Sequence, residues 1–113
     1  MNSRDFQIVK KMIKYCEEIF ATHKFFNSSF ELFKDSSGFV YRNSITMPIM
    51  QIGELAKLLS DDFLKEHNTI SWREIKGMRD FFAHHYGSMD YNIVWDTSHK
   101  DITKLHKYLS KFL

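Results

Sequence analysis

Phe6-Gln7-Ile8-Val9-Lys10-Lys11-Met12-Ile13-Lys14-Tyr15-Cys16-Glu17-Glu18-Ile19-Phe20 decides the fold class. Phe6, Val9, Ile13, Cys16 and Phe20 recur at alternating steps of three and four, the spacing of one buried helical face. Ile8, Met12, Tyr15 and Ile19 widen that face, so the helix is expected to be covered on two sides. Lys10, Lys11, Lys14, Glu17 and Glu18 are left for solvent. The pattern predicts a helix from about Ser3 to His23.

The same period continues through the chain. Ser28 and Glu31 fit a capping box that opens a short second helix, with Phe30 and Phe33 inward and Gly38 just past its end. Val40, Ile45, Ile49, Ile52, Leu55, Ala56 and Leu59 read as the buried face of a third helix. Pro48 lies inside it, which predicts either a kink near Met47 or a fresh helix starting at the proline. A polar turn or short helical segment follows over Ser60 to Asn68. Ser71 and Glu74 form a second capping box, flanked by Ile70 and Ile75 as a staple. The helix they open carries Trp72, Ile75, Met78 and Phe82 inward and ends near Tyr86, with Gly87 as a C′ residue. A short turn is predicted around Tyr91 to Trp95, then a last helix from Ser98 to Phe112 that buries Ile102, Leu105, Leu109 and Phe112.

One proline and four glycines in 113 residues are too few for the turns of an all-β fold. With 43% hydrophobic and 16% aromatic residues, the chain supports one packed core. The expectation is a single domain over residues 1–113: an all-α, up-and-down bundle of four main helices plus short helices. Cys16 is the only cysteine, so no disulfide forms within the chain, which fits a cytoplasmic location. The first residues lack the apolar core of a signal peptide, and no run of about 18 apolar residues marks a membrane span. A formal net charge of +2 does not by itself announce a nucleic-acid binder.

The chemistry concentrates in Arg79-Asp80-Phe81-Phe82-Ala83-His84-His85-Tyr86. An arginine grips phosphate with a planar fork of donors, and a histidine moves protons near neutral pH. Arg79 and Tyr86, seven apart, share a helical face; Asp80 and His84, four apart, can pair. Arg79 and His84 do not share a face within one helix. Either the helix unwinds after Ala83, or a second copy of the chain completes the site. The ordinary alternative is a surface Asp80–His84 pair at a helix C-terminus, with Tyr86 in the core.

Two further features have paired readings. Gly53 inside a helix costs about 1 kcal/mol relative to alanine, which close approach of another helix would justify; Glu54 could instead help arrange a cleft. Lys100, Lys104, Lys107 and Lys111 line one face of the last helix, and Lys10, Lys11 and Lys14 cluster on the first. Such a stripe either tracks an RNA backbone or is a solvated helix face. His23, His67, His99 and His106 show no metal-ligand spacing, no glycine-rich phosphate loop is present, and no cofactor is expected.

The Arg-x4-His-x-Tyr string resembles the Arg-x4–6-His motif of HEPN domains, and its tyrosine is similar to that of the HepT-like branch. Ile52-Gly53-Glu54 resembles that branch's Ile-Gly-Glu signature, and Ile70-Ser71-Trp72 its Ile-Pro-Trp entry to the motif helix. Gly77-Met78-Arg79-Asp80, His84-His85-Tyr86-Gly87, Asp90 and Val94-Trp95 continue the pattern. The resemblance implies a small helical toxin of a toxin–antitoxin pair, acting as a metal-independent ribonuclease whose homodimer lines one cleft. It implies Arg79 on the scissile phosphate, His84 as general acid or base for 2′-hydroxyl attack, and Asp80 orienting the motif. Tyr86 matches the tyrosine that a partner minimal nucleotidyltransferase antitoxin adenylylates. Asp80 stands where asparagine is common and Ser71 where proline is common; the first adds a negative charge near the expected phosphate site. The alternative is a catalytically inactive HEPN binding module, a partner subunit of the nucleotidyltransferase.

Overall fold

A computed structural model describes residues 1–88 and 90–113, with the backbone alone for Tyr86. Among these residues every regular element is helical, in accord with the all-α bundle expected. Helix α1, Ser3–Phe25, starts at Asn2, whose side chain accepts the Asp5 amide at 2.7 Å. Its Val9, Met12, Cys16 and Ile19 are wholly buried. Helices α3 (Phe39–Ala56) and α7 (Ile102–Leu109) pack against α1, which accounts for the two covered sides. Helix α5 (Trp72–His85) packs on α3. The core joins Ile45, Ile49 and Ile52 of α3, Trp72 and Phe82 of α5, and Ile102, Leu105 and Leu109 of α7. Burial of each such side chain contributes about 1.5–3 kcal/mol.

The short helices are tied in by polar contacts. Helix α2, Phe30–Lys34, is capped by Ser29, whose hydroxyl accepts the Leu32 amide at 3.2 Å. Ser28, the expected cap, sits instead in the left-handed region with Asn27 (φ 47° and 55°), where the chain reverses after α1. Gly38 is more than a stop signal: a Cβ there would lie 1.8 Å from the Leu32 carbonyl oxygen. Arg42, unassigned by the sequence reading, is buried and donates to the Phe33 and Asp35 carbonyls at 2.6 and 2.5 Å. Helix α4, Asp61–Glu66, is capped by Ser60. Buried Asp5 accepts the Ser60 amide at 2.9 Å and its hydroxyl at 2.5 Å, locking the start of α1 to the start of α4.

Several sequence expectations change. Helix α3 runs through Pro48 without restarting, and Ser44 and Thr46 donate their hydroxyls to the Val40 and Arg42 carbonyls in the preceding turns. Val40, expected inside, is 55% exposed. After α5 the chain continues as a 3₁₀ turn, Tyr86–Ser88, and Gly87 does not take the left-handed conformation of a C′ glycine. The predicted turn at Tyr91–Trp95 is instead helix α6, Tyr91–Asp96, capped by Asp90. It leads without a break through a π-helical turn, Thr97–Asp101, into α7 and a final 3₁₀ turn, Ser110–Phe112. The steps of four from Val94 to Ser98 to Ile102 explain that wide turn. On a uniform α-helix Ile102 would overshoot the direction of Val94 by about 80°, whereas the π turn keeps all three buried.

Ser98 also completes a buried polar chain. Its hydroxyl donates to the Trp95 carbonyl at 2.8 Å, so its oxygen accepts from His23 Nε2 at 2.9 Å. His23 Nδ1 in turn accepts from the Tyr41 hydroxyl at 2.5 Å. The arrangement requires a neutral imidazole. Burial, with His99 stacked 3.8 Å away, pushes His23 down to about 4, and burial pushes Tyr41 up to about 12. A histidine with a depressed folded pKa contributes stability that is full above its unfolded value and is lost as pH falls toward the folded one. Acidification from pH 7 to 4 is therefore expected to cost roughly 3 kcal/mol through His23 alone. Urea unfolding of the wild type and of His23→Gln across that range checks it: the difference between the two curves isolates the histidine from the carboxylates.

Candidate active site

The motif helix α5 meets α3 at Gly53. A Cβ at that position would lie 2.9 Å from both Cβ and the backbone nitrogen of Arg79, and 3.0 Å from the Ile75 carbonyl oxygen. The absent side chain is what lets the two helices approach, as the close-approach reading of this glycine expected. That approach also brings Glu54, the next residue, to Arg79, with Oε1 2.7 Å from Nε.

Lys57 and Asp80 extend the pair into a ring of four charges. Lys57 Nζ donates to Asp80 Oδ1 at 3.1 Å and stands 3.7 Å from Glu54 Oε1. Arg79 Nη1 donates to the same Asp80 oxygen at 3.4 Å. Each cation thus touches both carboxylates, and the formal charges cancel. The Lys57 ammonium foremost, with Arg79 behind it, holds the Asp80 carboxyl below the usual carboxylate range. The Arg79 side chain is 38% exposed and those of Lys57, Glu54 and Asp80 are at least as open or nearly so. Exposed ion pairs of this kind contribute little to stability. An incoming phosphate, which offers the guanidinium stronger charge-assisted bonds, can exchange with them.

His84 and His85 are exposed in the last turn of α5. Asp80 does not pair with His84 among the described residues; its partners are Lys57 and Arg79, because α3 approaches α5 on that side. The helix stays α-helical through His85, which removes unwinding after Ala83 as a way to join the motif. Within one chain, Arg79 and His84 then point about 140° apart around the helix. The side chain of Tyr86, the expected modification site, lies outside the described residues. Lys100, Lys104, Lys107 and Lys111 are all exposed; Lys100 pairs with Asp96 at 4.0 Å, and Lys111 lies over the Tyr108 ring.

The sequence reading missed Lys57. Its position, three residues after Glu54 on one helical face, was a usable signal, but its partnership with Asp80 across 23 positions required the packing of α3 on α5.

Comparison with known proteins gives this site its context. Residues 9–112 match the model of the family described as Ribonuclease HepT-like, and the chain belongs to that family. It is 41% identical over 54 residues to "Probable ribonuclease HepT" of Thermococcus cleftensis, covering 48% of this chain and 49% of that one. It is 40% identical over 62 residues to "Putative RNase TTE0752" of Caldanaerobacter subterraneus subsp. tengcongensis, covering 55% of each. A longer match, 28% identical over 102 residues, covers 90% of this chain and 81% of "Putative RNase MJ1216" of Methanocaldococcus jannaschii. The matches to the first two thus span about half of those relatives. No solved structure is significantly similar. Among the described residues no helix is long and apolar enough to cross a membrane.

Gly53→Ala should be net destabilising. Overpacking costs about 1–3 kcal/mol, against a gain of about 1 kcal/mol in helix propensity. Chemical denaturation is expected to show the loss.

Proposed function

We propose that the protein is a metal-independent endoribonuclease toxin that acts as a symmetric homodimer. The carrying observation is the unbroken α5. Arg79 and His84 are both open to solvent but diverge around one continuous helix. A second copy brings the partner's His84 to the Arg79 fork and makes one cleft of two incomplete halves. The exposed faces of α3 and α5 support such a seam. Val40 and Met47, seven residues apart on α3, are 55% and 57% exposed, and Phe81 of α5 is 41% exposed. The same stripe of α3 continues seven residues further to Glu54, beside Arg79.

In the cleft, Arg79 holds the scissile phosphate and stabilises the charge that gathers on it. His84 takes the proton of the ribose 2′-hydroxyl, or gives one to the leaving 5′-oxygen. The 2′-oxygen bonds to phosphorus as the bond to the 5′-oxygen breaks, leaving a 2′,3′-cyclic phosphate and a 5′-hydroxyl. Asp80 orients the motif, and the basic row Lys100, Lys104, Lys107 and Lys111 follows the RNA backbone. Adenylylation of Tyr86 by a minimal nucleotidyltransferase antitoxin would add bulk and negative charge where the phosphate binds and so silence the toxin.

Arg79→Ala and His84→Ala should each lower cleavage of total RNA by about 10²–10⁴-fold while melting like the wild type. Wild-type cleavage should persist in chelator. Mapped ends carrying 3′-phosphate chemistry and 5′-hydroxyls are expected; full activity in His84→Ala would remove that residue from the mechanism. A folded dimer that binds RNA without cutting it would mark an inactive binding module instead. Met47→Glu should convert the dimer to monomer in light scattering and abolish cleavage with it.

A further inference from the structure

We infer that Lys57 is a positioning residue of the Arg79 site, drawing the Asp80 carboxylate toward itself so that only a long contact to the guanidinium remains for an RNA phosphate to displace. The inference rests on the ribonuclease reading for the identity of that anion. Lys57 Nζ and Arg79 Nη1 converge on one oxygen, Asp80 Oδ1, at 3.1 and 3.4 Å, so the lysine holds the shorter contact. Asp80 adjoins Arg79 in the chain. Glu54 already occupies the Nε edge at 2.7 Å. Without Lys57, two carboxylates would share one guanidinium: the aspartate would close on Nη1, and the cluster would present a net charge of −1 to an anionic substrate. With Lys57 the cluster is neutral, and a phosphate that displaces Asp80 from Arg79 finds a second cation at its side. An uncharged asparagine at position 80 would need no such counter-charge. The lysine therefore matches the aspartate of this chain in particular.

The test is a double-mutant cycle of Lys57→Met, Asp80→Asn and the two combined. Two quantities are read: KM and kcat for RNA cleavage, and the affinity for a 2′-O-methyl RNA oligonucleotide, which binds but lacks the attacking hydroxyl. Lys57→Met should raise KM and weaken oligonucleotide binding about tenfold at low salt, with kcat little changed, and the deficit should shrink as salt rises. Adding Asp80→Asn should restore affinity to within about twofold, and Lys57→Arg should retain it. Equal impairment of Lys57→Met and the double variant, or no change in Lys57→Met, would overturn the inference. So would a deficit that appears only as a lowered melting temperature. Lys57→Gln is the second variant if Lys57→Met does not fold. Wild-type protein that cuts no RNA defeats the ribonuclease reading, while the oligonucleotide arm still decides the role of Lys57.

Discussion

The bare Cα of Gly53 sets the distance between α3 and α5, and the rest of the site depends on that distance. With a methyl group 2.9 Å from the Arg79 backbone, the motif helix would have to stand off. Glu54 lies in α3 and Lys57 caps its C-terminus, while Arg79 and Asp80 belong to α5. The contacts across the seam, 2.7 Å from Arg79 to Glu54 and 3.1 Å from Lys57 to Asp80, exist because the two backbones touch. The glycine costs helix propensity locally and returns it as a charge cluster that no single helix could assemble.

The molecule separates rigid from exchangeable polar contacts. His23, Tyr41 and Ser98 are buried in one chain of hydrogen bonds, with burial keeping the imidazole neutral. Asp5 on Ser60 and Arg42 on the α2 carbonyls serve the same purpose at other joints. No buried side-chain polar atom lacks a partner among the described residues. The cluster around Arg79 is the opposite: open to solvent, net neutral, and built from pairs individually worth little. Strong contacts hold the scaffold, and weak ones gather on the exposed side of the α3–α5 seam.

The π turn at Thr97–Asp101 shows why local reading misplaced the last helix. A segment with steps of four looks like a break to a 3.6-residue period, and a turn followed by a new helix was the natural inference. The buried hydrogen bond from His23 to Ser98, across 75 positions, rewards the wider turn with a satisfied polar pair in the core. The same kind of long-range reward explains Ser29 in place of Ser28 as the α2 cap: the left-handed residues Asn27 and Ser28 reverse the chain, shifting the helix start by one.

Sequence by itself determined the all-α class, the main buried faces and the identity of the motif residues, because periodicity and side-chain chemistry are local properties. Phe6 through Phe20 could form only one kind of element, and the motif string carried its family resemblance in Arg79, His84 and Tyr86. Tertiary structure alone decided whom Asp80 pairs with, that Lys57 joins the site, and that Arg79 and His84 stay on diverging sides of an unbroken helix. Those outcomes depend on the distance between two helices and on whether one of them unwinds. Both are set by packing between residues far apart in the chain, where no spacing pattern records them.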